Sequence, residues 1–319
     1  MTETILLVAG GLVLLALGGE FLVRGAVGMA ARLGISPLLA GLTIVGFGTS
    51  MPELATSVQA AMAGAPGIAI GNVVGSNIAN ILLILGVSAL ILPLAVNPKS
   101  FKRDSIALGG SALLCTGAVL LGIIGLLPGI VLLACLVGYL WYAYKSESAA
   151  NDDECHRHEA EAADRPVPPG TSPVILIGMI VAGLAAAVFG AGLLVDGATV
   201  LASAAGVSES VIGLTVVAIG TSLPELIACV VAVLRKHADV ALGNVVGSNI
   251  YNTLGILGTT AVIHPIAIPA EIVRFDIWFM LGVTMLLLVQ LRSGWRLSRI
   301  EGGLLVALYA GYTVLLATR

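Results

Sequence analysis

The sequence predicts an all-α polytopic membrane protein: ten transmembrane helices forming two inverted five-helix repeats, with core helices 2 and 7 broken. Composition is the first sign, because 58% of the 319 residues are hydrophobic and only 10% are charged. Apolar blocks at about 4–23, 36–63, 69–93, 103–123, 127–144, 173–194, 208–233, 239–263, 272–290 and 299–317 are the second, each long enough to cross the hydrocarbon as a helix. The third is a duplication. Gly41-Leu-Thr-Ile-Val-Gly-Phe-Gly-Thr-Ser-Met-Pro-Glu53 returns 172 residues later as Gly213-Leu-Thr-Val-Val-Ala-Ile-Gly-Thr-Ser-Leu-Pro-Glu225, and 26 of 46 positions agree between 41–86 and 213–258.

The first block reads as a retained span, since Glu3 stands where a cleaved signal would carry basic residues. With the N-terminus outside, Arg24, Arg32, Lys99, Lys102, Arg103, Lys145, Arg157, Arg165, Arg235, Lys236, Arg292, Arg296 and Arg299 all fall on the cytoplasmic side. Only Arg274 and Arg319 fall outside. Five spans per half turn the second repeat upside down relative to the first, the inverted design of many secondary transporters. Arg24 at the inner end of span 1 has Asp196 as its register counterpart at the outer end of span 6, which agrees with that inversion.

The second block contains the residues most in need of explanation. A carboxylate within a span is expensive unless it lines a cavity or meets a cation, and Glu53 and Glu225 each follow a proline. Pro52 has no amide hydrogen for the carbonyl of Gly48, nor Pro224 for that of Gly220, so the helix breaks and carbonyls are freed. Gly46 and Gly48 ease the break, whereas Ala218 replaces Gly46 in the second copy. Ser50 precedes Glu53 by three residues and should share its helical face, as Ser222 should with Glu225; Thr49 and Thr221 extend the polar patch.

On the third block Asn72, Ser76 and Asn80 recur at four-residue intervals, and Asn244, Ser248 and Asn252 repeat the stripe in the eighth. Gly71 and Gly75, with Gly243 and Gly247, form small-residue pairs suited to close helix packing. Facing halves would thus assemble an all-oxygen site. Such ligands suit hard cations such as Ca²⁺ or Na⁺; two bidentate glutamates and two carbonyls already supply about six oxygens, within the range Ca²⁺ takes. Two ionised glutamates neutralise one Ca²⁺, so several Na⁺ competing for the same cluster would couple the two ions.

Residues 145–172, rich in Ala, Asp, Glu and Pro, read as a solvated cytoplasmic linker between a first repeat at 1–144 and a second at 173–319. Its Asp152-Asp-Glu-Cys-His-Arg-His158 run lacks metal-site spacing and reads as a charged connector. Cys115, Cys135, Cys155 and Cys229 show no redox or metal spacing, and no disulfide is expected. The net charge of −3 and the lack of a basic, aromatic-interleaved patch argue against nucleic acid. No nucleophile–base constellation or phosphate loop suggests an enzyme or a cofactor.

Gly-Thr-Ser-Met-Pro-Glu53, Gly-Thr-Ser-Leu-Pro-Glu225 and the two Gly-Asn-Val-Val-Gly-Ser-Asn-Ile segments resemble the α-repeats of the cation/Ca²⁺ exchanger superfamily, in particular its prokaryotic Na⁺/Ca²⁺ exchanger branch. The resemblance implies a monomeric, multi-pass antiporter of the prokaryotic inner (plasma) membrane, embedded in the lipid bilayer with both termini outside, in which spans 2, 3, 7 and 8 bind Na⁺ and Ca²⁺ while spans 1 and 6 slide. It implies Glu53 and Glu225 as central ligands, carbonyls of Thr49, Thr221, Gly46 and Ala218, hydroxyls of Ser50, Ser222, Ser76 and Ser248, and the side chains of Asn80 and Asn252. Some relatives, K⁺-dependent ones among them, carry Asp where Asn252 stands; its absence here removes a third anion and weighs against K⁺ co-transport. An H⁺-coupled Ca²⁺/cation exchanger is the alternative reading, and a channel or scaffold would have no need of two matched half-sites.

Overall fold

The structure is a computed structural model that describes residues 2–158, 168, 170–204 and 218–318. The start of the second motif, residues 213–217, lies outside the described residues, as do linker residues 159–167 and 169, with Arg165, and the terminal Arg319. The side chains of Asp152 to His158 lie outside them too.

Helices dominate. In chain order they are α1 (Thr2–Leu33), α2 (Pro37–Thr49), α3 (Met51–Met62), α4 (Pro66–Ile91), α5 (Pro98–Leu120) and α6 (Leu126–His158). The second half contributes α7 (Pro173–Ala204), α8 (Ala218–Thr221), α9 (Leu223–Leu234), α10 (238–263), α11 (Ile272–Gly294) and α12 (Arg299–Thr318). α6 continues through Lys145 to His158, so the start of the connector between the halves is helical and not the open linker expected from its charge.

Among the described residues six helices are long and apolar enough to cross a bilayer, and α2 with α3, bent by 41° at Ser50, makes a seventh. That is fewer than the ten apolar blocks of the sequence, for reasons visible in the side chains. α5 opens with Lys99, Lys102, Arg103 and Asp104. α10 carries Asn244, Ser248, Asn249, Asn252 and Thr253, all buried by neighbouring helices so that they need not face lipid. α9 is short, and the residues preceding α8 are outside the described set.

The halves embrace rather than sit side by side. α4 lies at the centre, with 72% of its apolar window buried against 17% for the peripheral α12. Two short antiparallel ladders join connectors from opposite halves. β1 (Leu94–Ala95) pairs with β4 (Arg296–Leu297), and β2 (Ile123–Ile124) pairs with β3 (Ile266–Ala267). In the 172-residue register β3 is the twin of β1, and β4 lies one residue beyond the twin position of β2, so each half pairs its strands with the non-equivalent strand of the other.

α1 and α7 form the longest interface, along a glycine seam. Gly11, Gly18 and Gly25 recur every seven residues, and so do their register twins Gly183, Gly190 and Gly197. A Cβ on Gly11 would stand 2.8 Å from the Gly190 carbonyl, one on Gly190 would stand 2.8 Å from the Gly11 carbonyl, and one on Gly18 would stand 2.6 Å from the Ala187 nitrogen. Backbone thus meets backbone, as small-residue seams permit in membranes. Toward the C-terminal end of α1, Glu20 accepts from Arg24 and also from the guanidinium of Arg235, just beyond α9.

Replacing Gly18 with Leu should therefore lower stability by about 1–3 kcal/mol, read as a fall of several degrees in the unfolding midpoint in detergent. Gly138→Ala, with open space around the position, should stay within about 0.5 kcal/mol of the parent in the same scan.

Candidate cation-binding site

The site begins with two interrupted helices. Pro52 and Pro224 sit in the first turns of α3 and α9, where a missing amide hydrogen is tolerated. The residues before those turns, Ser50 (φ −83°, ψ 2°) and Ser222 (φ −93°, ψ 7°), leave helical geometry and turn the chain. Glu53 and Glu225 consequently fall in the first turn of a new helix, where the positive end of the helix dipole favours a carboxylate.

Both carboxylates are 1% exposed and each is held by the opposite half. The Ser222 hydroxyl donates to Glu53 Oε1 at 3.4 Å, and the Ser50 hydroxyl donates to Glu225 Oε1 at 3.4 Å. The sequence placed each serine on the face of its own glutamate; the turn at Ser50 and Ser222 instead directs each hydroxyl across the interface. The second oxygens, Glu53 Oε2 and Glu225 Oε2, have no hydrogen-bond partner among the described residues, and neither do Asn80 Oδ1 and Asn252 Oδ1. Four buried, unpartnered oxygens are far from the norm, in which nearly every buried polar atom is satisfied. A cation is the partner whose chemistry all four share.

Other expected residues gather here as well. The Thr49 hydroxyl donates to the Val45 carbonyl at 3.1 Å and lies 3.3 Å from Asn244 Oδ1. The Ser248 hydroxyl donates to the Gly46 carbonyl at 3.5 Å, bringing together two residues from different halves. Gly46 allows this approach, since a Cβ there would stand 3.1 Å from the Ser248 nitrogen. Gly243 and Gly247 serve packing as expected: a Cβ on either would come within 2.2 Å of the carbonyl of Leu38 or Leu42. The residues that would face Gly71 and Gly75 in the same register lie outside the described set. Ser76 is buried on α4, and the backbones of Ala218 and Thr221 form the ends of α8.

Asn80 and Tyr251, the residue before Asn252, each begin a wide π-helical turn, Asn80–Leu85 and Tyr251–Ile256. Such widened turns are frequent at functional sites because they redirect a side chain without ending the helix. Asn80 Nδ2 donates to Asn249 Oδ1 at 3.3 Å, which draws in a residue that the four-residue stripe had passed over.

The remaining parts of the polar stripes position the glutamates. Asn72 Nδ2 donates to the Glu53 carbonyl at 3.0 Å and to the Ser57 hydroxyl at 2.9 Å. Asn244 Nδ2 donates to the Glu225 carbonyl at 3.4 Å and approaches Cys229 Sγ at 3.1 Å. Ser57 and Cys229 occupy the same register and complete the parallel by donating to the carbonyls of Ala69 (3.4 Å) and Ala241 (3.6 Å). A search for identical residues passes over this pair, because serine and cysteine share the role but not the name.

Apolar helices wrapped around an acidic, all-oxygen cluster drawn from two repeats are the architecture of a membrane ion transporter. The family model described as sodium/calcium exchanger protein matches residues 3–145 and 175–318. The chain is 39% identical to the putative antiporter CaxA of Alkalimonas amylolytica over 96% of both chains, and 33% identical to the sodium/calcium exchanger MaX1 of Methanosarcina acetivorans over 99% of both. It is 35% identical to the inner membrane protein YrbG of Escherichia coli K12, over 99% of this chain and 96% of the relative. Among solved structures, the sodium-calcium exchanger NCX_Mj soaked with zero Na⁺ and Ca²⁺ matches with a TM-score of 0.82 and 32% identity, covering 99% of each chain. This chain belongs to the sodium/calcium exchanger family and is a multi-pass membrane protein.

Asn72→Leu removes the donor shared by the Glu53 carbonyl and Ser57, and loss of a buried hydrogen bond of this kind amounts to about 1–3 kcal/mol. Ca²⁺ affinity measured by titration calorimetry should accordingly fall about tenfold or more. Cys229→Ser should keep affinity within about threefold of the parent, since a hydroxyl already fills that role at Ser57.

Proposed function

We propose that the protein is a secondary active antiporter that exchanges Na⁺ for Ca²⁺ across the prokaryotic inner (plasma) membrane, by alternating access at one shared carboxylate site. The observation that carries this reading is the reciprocal pair of buried glutamates, each anchored through one oxygen by the other half and each leaving its second oxygen without a partner among the described residues. The relative MaX1 is named a sodium/calcium exchanger, and a matching NCX_Mj structure was soaked with 10 mM Na⁺ and 10 mM Sr²⁺, which fits hard-cation substrates.

In this mechanism Glu53 and Glu225 bind the transported ion. The carbonyls of Thr49, Thr221, Gly46 and Ala218, the hydroxyls of Ser50, Ser222, Ser76 and Ser248, and the oxygens of Asn80 and Asn252 complete the shells of Ca²⁺ or of several Na⁺. Ca²⁺ neutralises both carboxylates at once. Several Na⁺ spread over the same oxygens do so together, and an unfilled pair of buried anions resists the dehydration that reorientation demands. Exchange follows from that mutual exclusion. One chain supplies both half-sites, so a monomer suffices.

The proposed topology is two inverted five-span repeats, 1–144 and 173–319, joined by a cytoplasmic connector at 145–172, with both termini outside. The exchanged strand pairs support inversion: β1 with β4 would lie inside, and β2 with β3 outside, related by a half-turn in the membrane plane. The Glu20 contacts to Arg24 and Arg235 support it too, since both arginines would lie at the cytoplasmic surface.

Reconstituted protein should take up ⁴⁵Ca when an outward Na⁺ gradient is imposed, and a pH gradient alone should not drive it. Uptake that follows the pH gradient and ignores Na⁺ would instead establish an H⁺-coupled exchanger. Glu53→Gln and Glu225→Gln should each reduce Na⁺-driven uptake to background while eluting as monodisperse protein; normal exchange by both would refute the ligand assignment. For topology, a C-terminal alkaline phosphatase fusion should be active and the corresponding green fluorescent protein fusion dark.

A further inference from the structure

We propose that the groove between α5 and α6 is a binding site for one anionic phospholipid, with its headgroup on Lys102 and an acyl chain running toward the membrane centre. The proposal rests on the reading above only in placing this end of both helices at the cytoplasmic surface.

A cavity of about 410 Å³ opens between the two helices, within the range of small-molecule sites, about 300–1,000 Å³. Its α5 wall is a single helical face, Ile106, Gly110 and Leu114 at four-residue spacing. Ile106 and Leu114 are 67% and 42% exposed, and Gly110 between them is a notch with open space where a Cβ would stand. The opposite wall is the Cys135, Tyr139, Tyr142 and Ser146 face of α6, and Leu254 of α10 closes the floor. From Lys102 to Leu114 the groove runs twelve residues, roughly 18 Å at the α-helical rise. That is a little over half the hydrocarbon thickness of about 30 Å. Such a length suits one acyl chain reaching from the headgroup level to the midplane.

The groove is held open by a polar clamp at its mouth. The Arg103 guanidinium donates to both carboxylate oxygens of Asp104, at 2.6 and 3.2 Å, and to the Ala143 carbonyl of α6 at 3.3 Å. The Tyr139 hydroxyl donates to Asp104 Oδ1 at 3.1 Å. Arg103 is thereby neutralised and fixes the spacing of the helices. Lys102 beside it is exposed and its ammonium has no ion pair among the described residues, while Lys145 at the same end lies over the Trp141 ring at 5.0 Å. A basic mouth above an apolar groove at the cytoplasmic face complements an anionic headgroup with its chain, as interhelical basic pockets do.

The test is native mass spectrometry of the detergent-solubilised full chain, equilibrated with equal amounts of phosphatidylglycerol and phosphatidylcholine. Wild type should retain one phosphatidylglycerol in preference to phosphatidylcholine. Lys102→Gln should reduce that preference about fivefold, the effect of one interfacial charge. Gly110→Leu, which fills the notch without meeting backbone, should lose the retained lipid of either kind. Equal retention of both lipids by wild type, an unchanged preference in Lys102→Gln, or undiminished retention in Gly110→Leu would each overturn the assignment. Na⁺-driven ⁴⁵Ca uptake measured separately keeps failure of the exchange reading distinct from failure of this one.

Discussion

Two carboxylates buried at the meeting of two repeats are the constraint around which the remaining structure is arranged. Taking each ionised group out of water is unfavourable by several kcal/mol even after relaxation. A helix N-terminus returns about 0.3–1 kcal/mol, at most about 2 kcal/mol in a buried geometry. One serine hydroxyl at 3.4 Å adds little to that. The local contacts leave the pair electrostatically unbalanced, and in the exchange proposed above the transported ion restores the balance. On that proposal, stability of the emptied site and transport of its cargo are the same problem.

The neighbouring residues hold those acids in place without neutralising them. Asn72 and Asn244 grip the glutamate backbones, while Ser57 and Cys229 anchor the asparagines from behind. Glycines of α10 let the α2 backbone approach to contact distance, so that Ser248 can reach Gly46. Among the described residues no cationic side chain donates a hydrogen bond to either glutamate. A fixed lysine or arginine there would satisfy the acids permanently.

The site was legible in the sequence because its chemistry is local and duplicated: a proline, a glutamate and flanking hydroxyls at fixed spacing in both halves. What was not legible depends on three-dimensional direction. Each serine turns to the opposite glutamate because the break at Ser50 and Ser222 redirects the chain, which no helical spacing encodes. Asn249 was missed because the widened turn that brings Asn80 to it is absent from a regular 3.6-residue pattern. The ten apolar blocks were easy to count. Yet α10 achieves membrane compatibility by burying its asparagines inside the protein, so hydropathy alone understates it. Lys236 is a smaller instance: it adopts φ 64° at the register position of Gly64, a left-handed turn that composition would never assign to lysine.

The paired strands act as hoops. One ties the α4–α5 connector to the α11–α12 connector; the other ties the α5–α6 connector to the α10–α11 connector, and the backbone bonds from Val96 to Trp295 and from Ile268 to Gly122 lengthen both. Six helices are thus strapped top and bottom into a closed frame. Neither α1 nor α7 enters a hoop among the described residues, and the two are joined by a smooth glycine seam. Displacing that pair as a unit against the frame breaks no strand ladder, whereas shearing any strapped helix would.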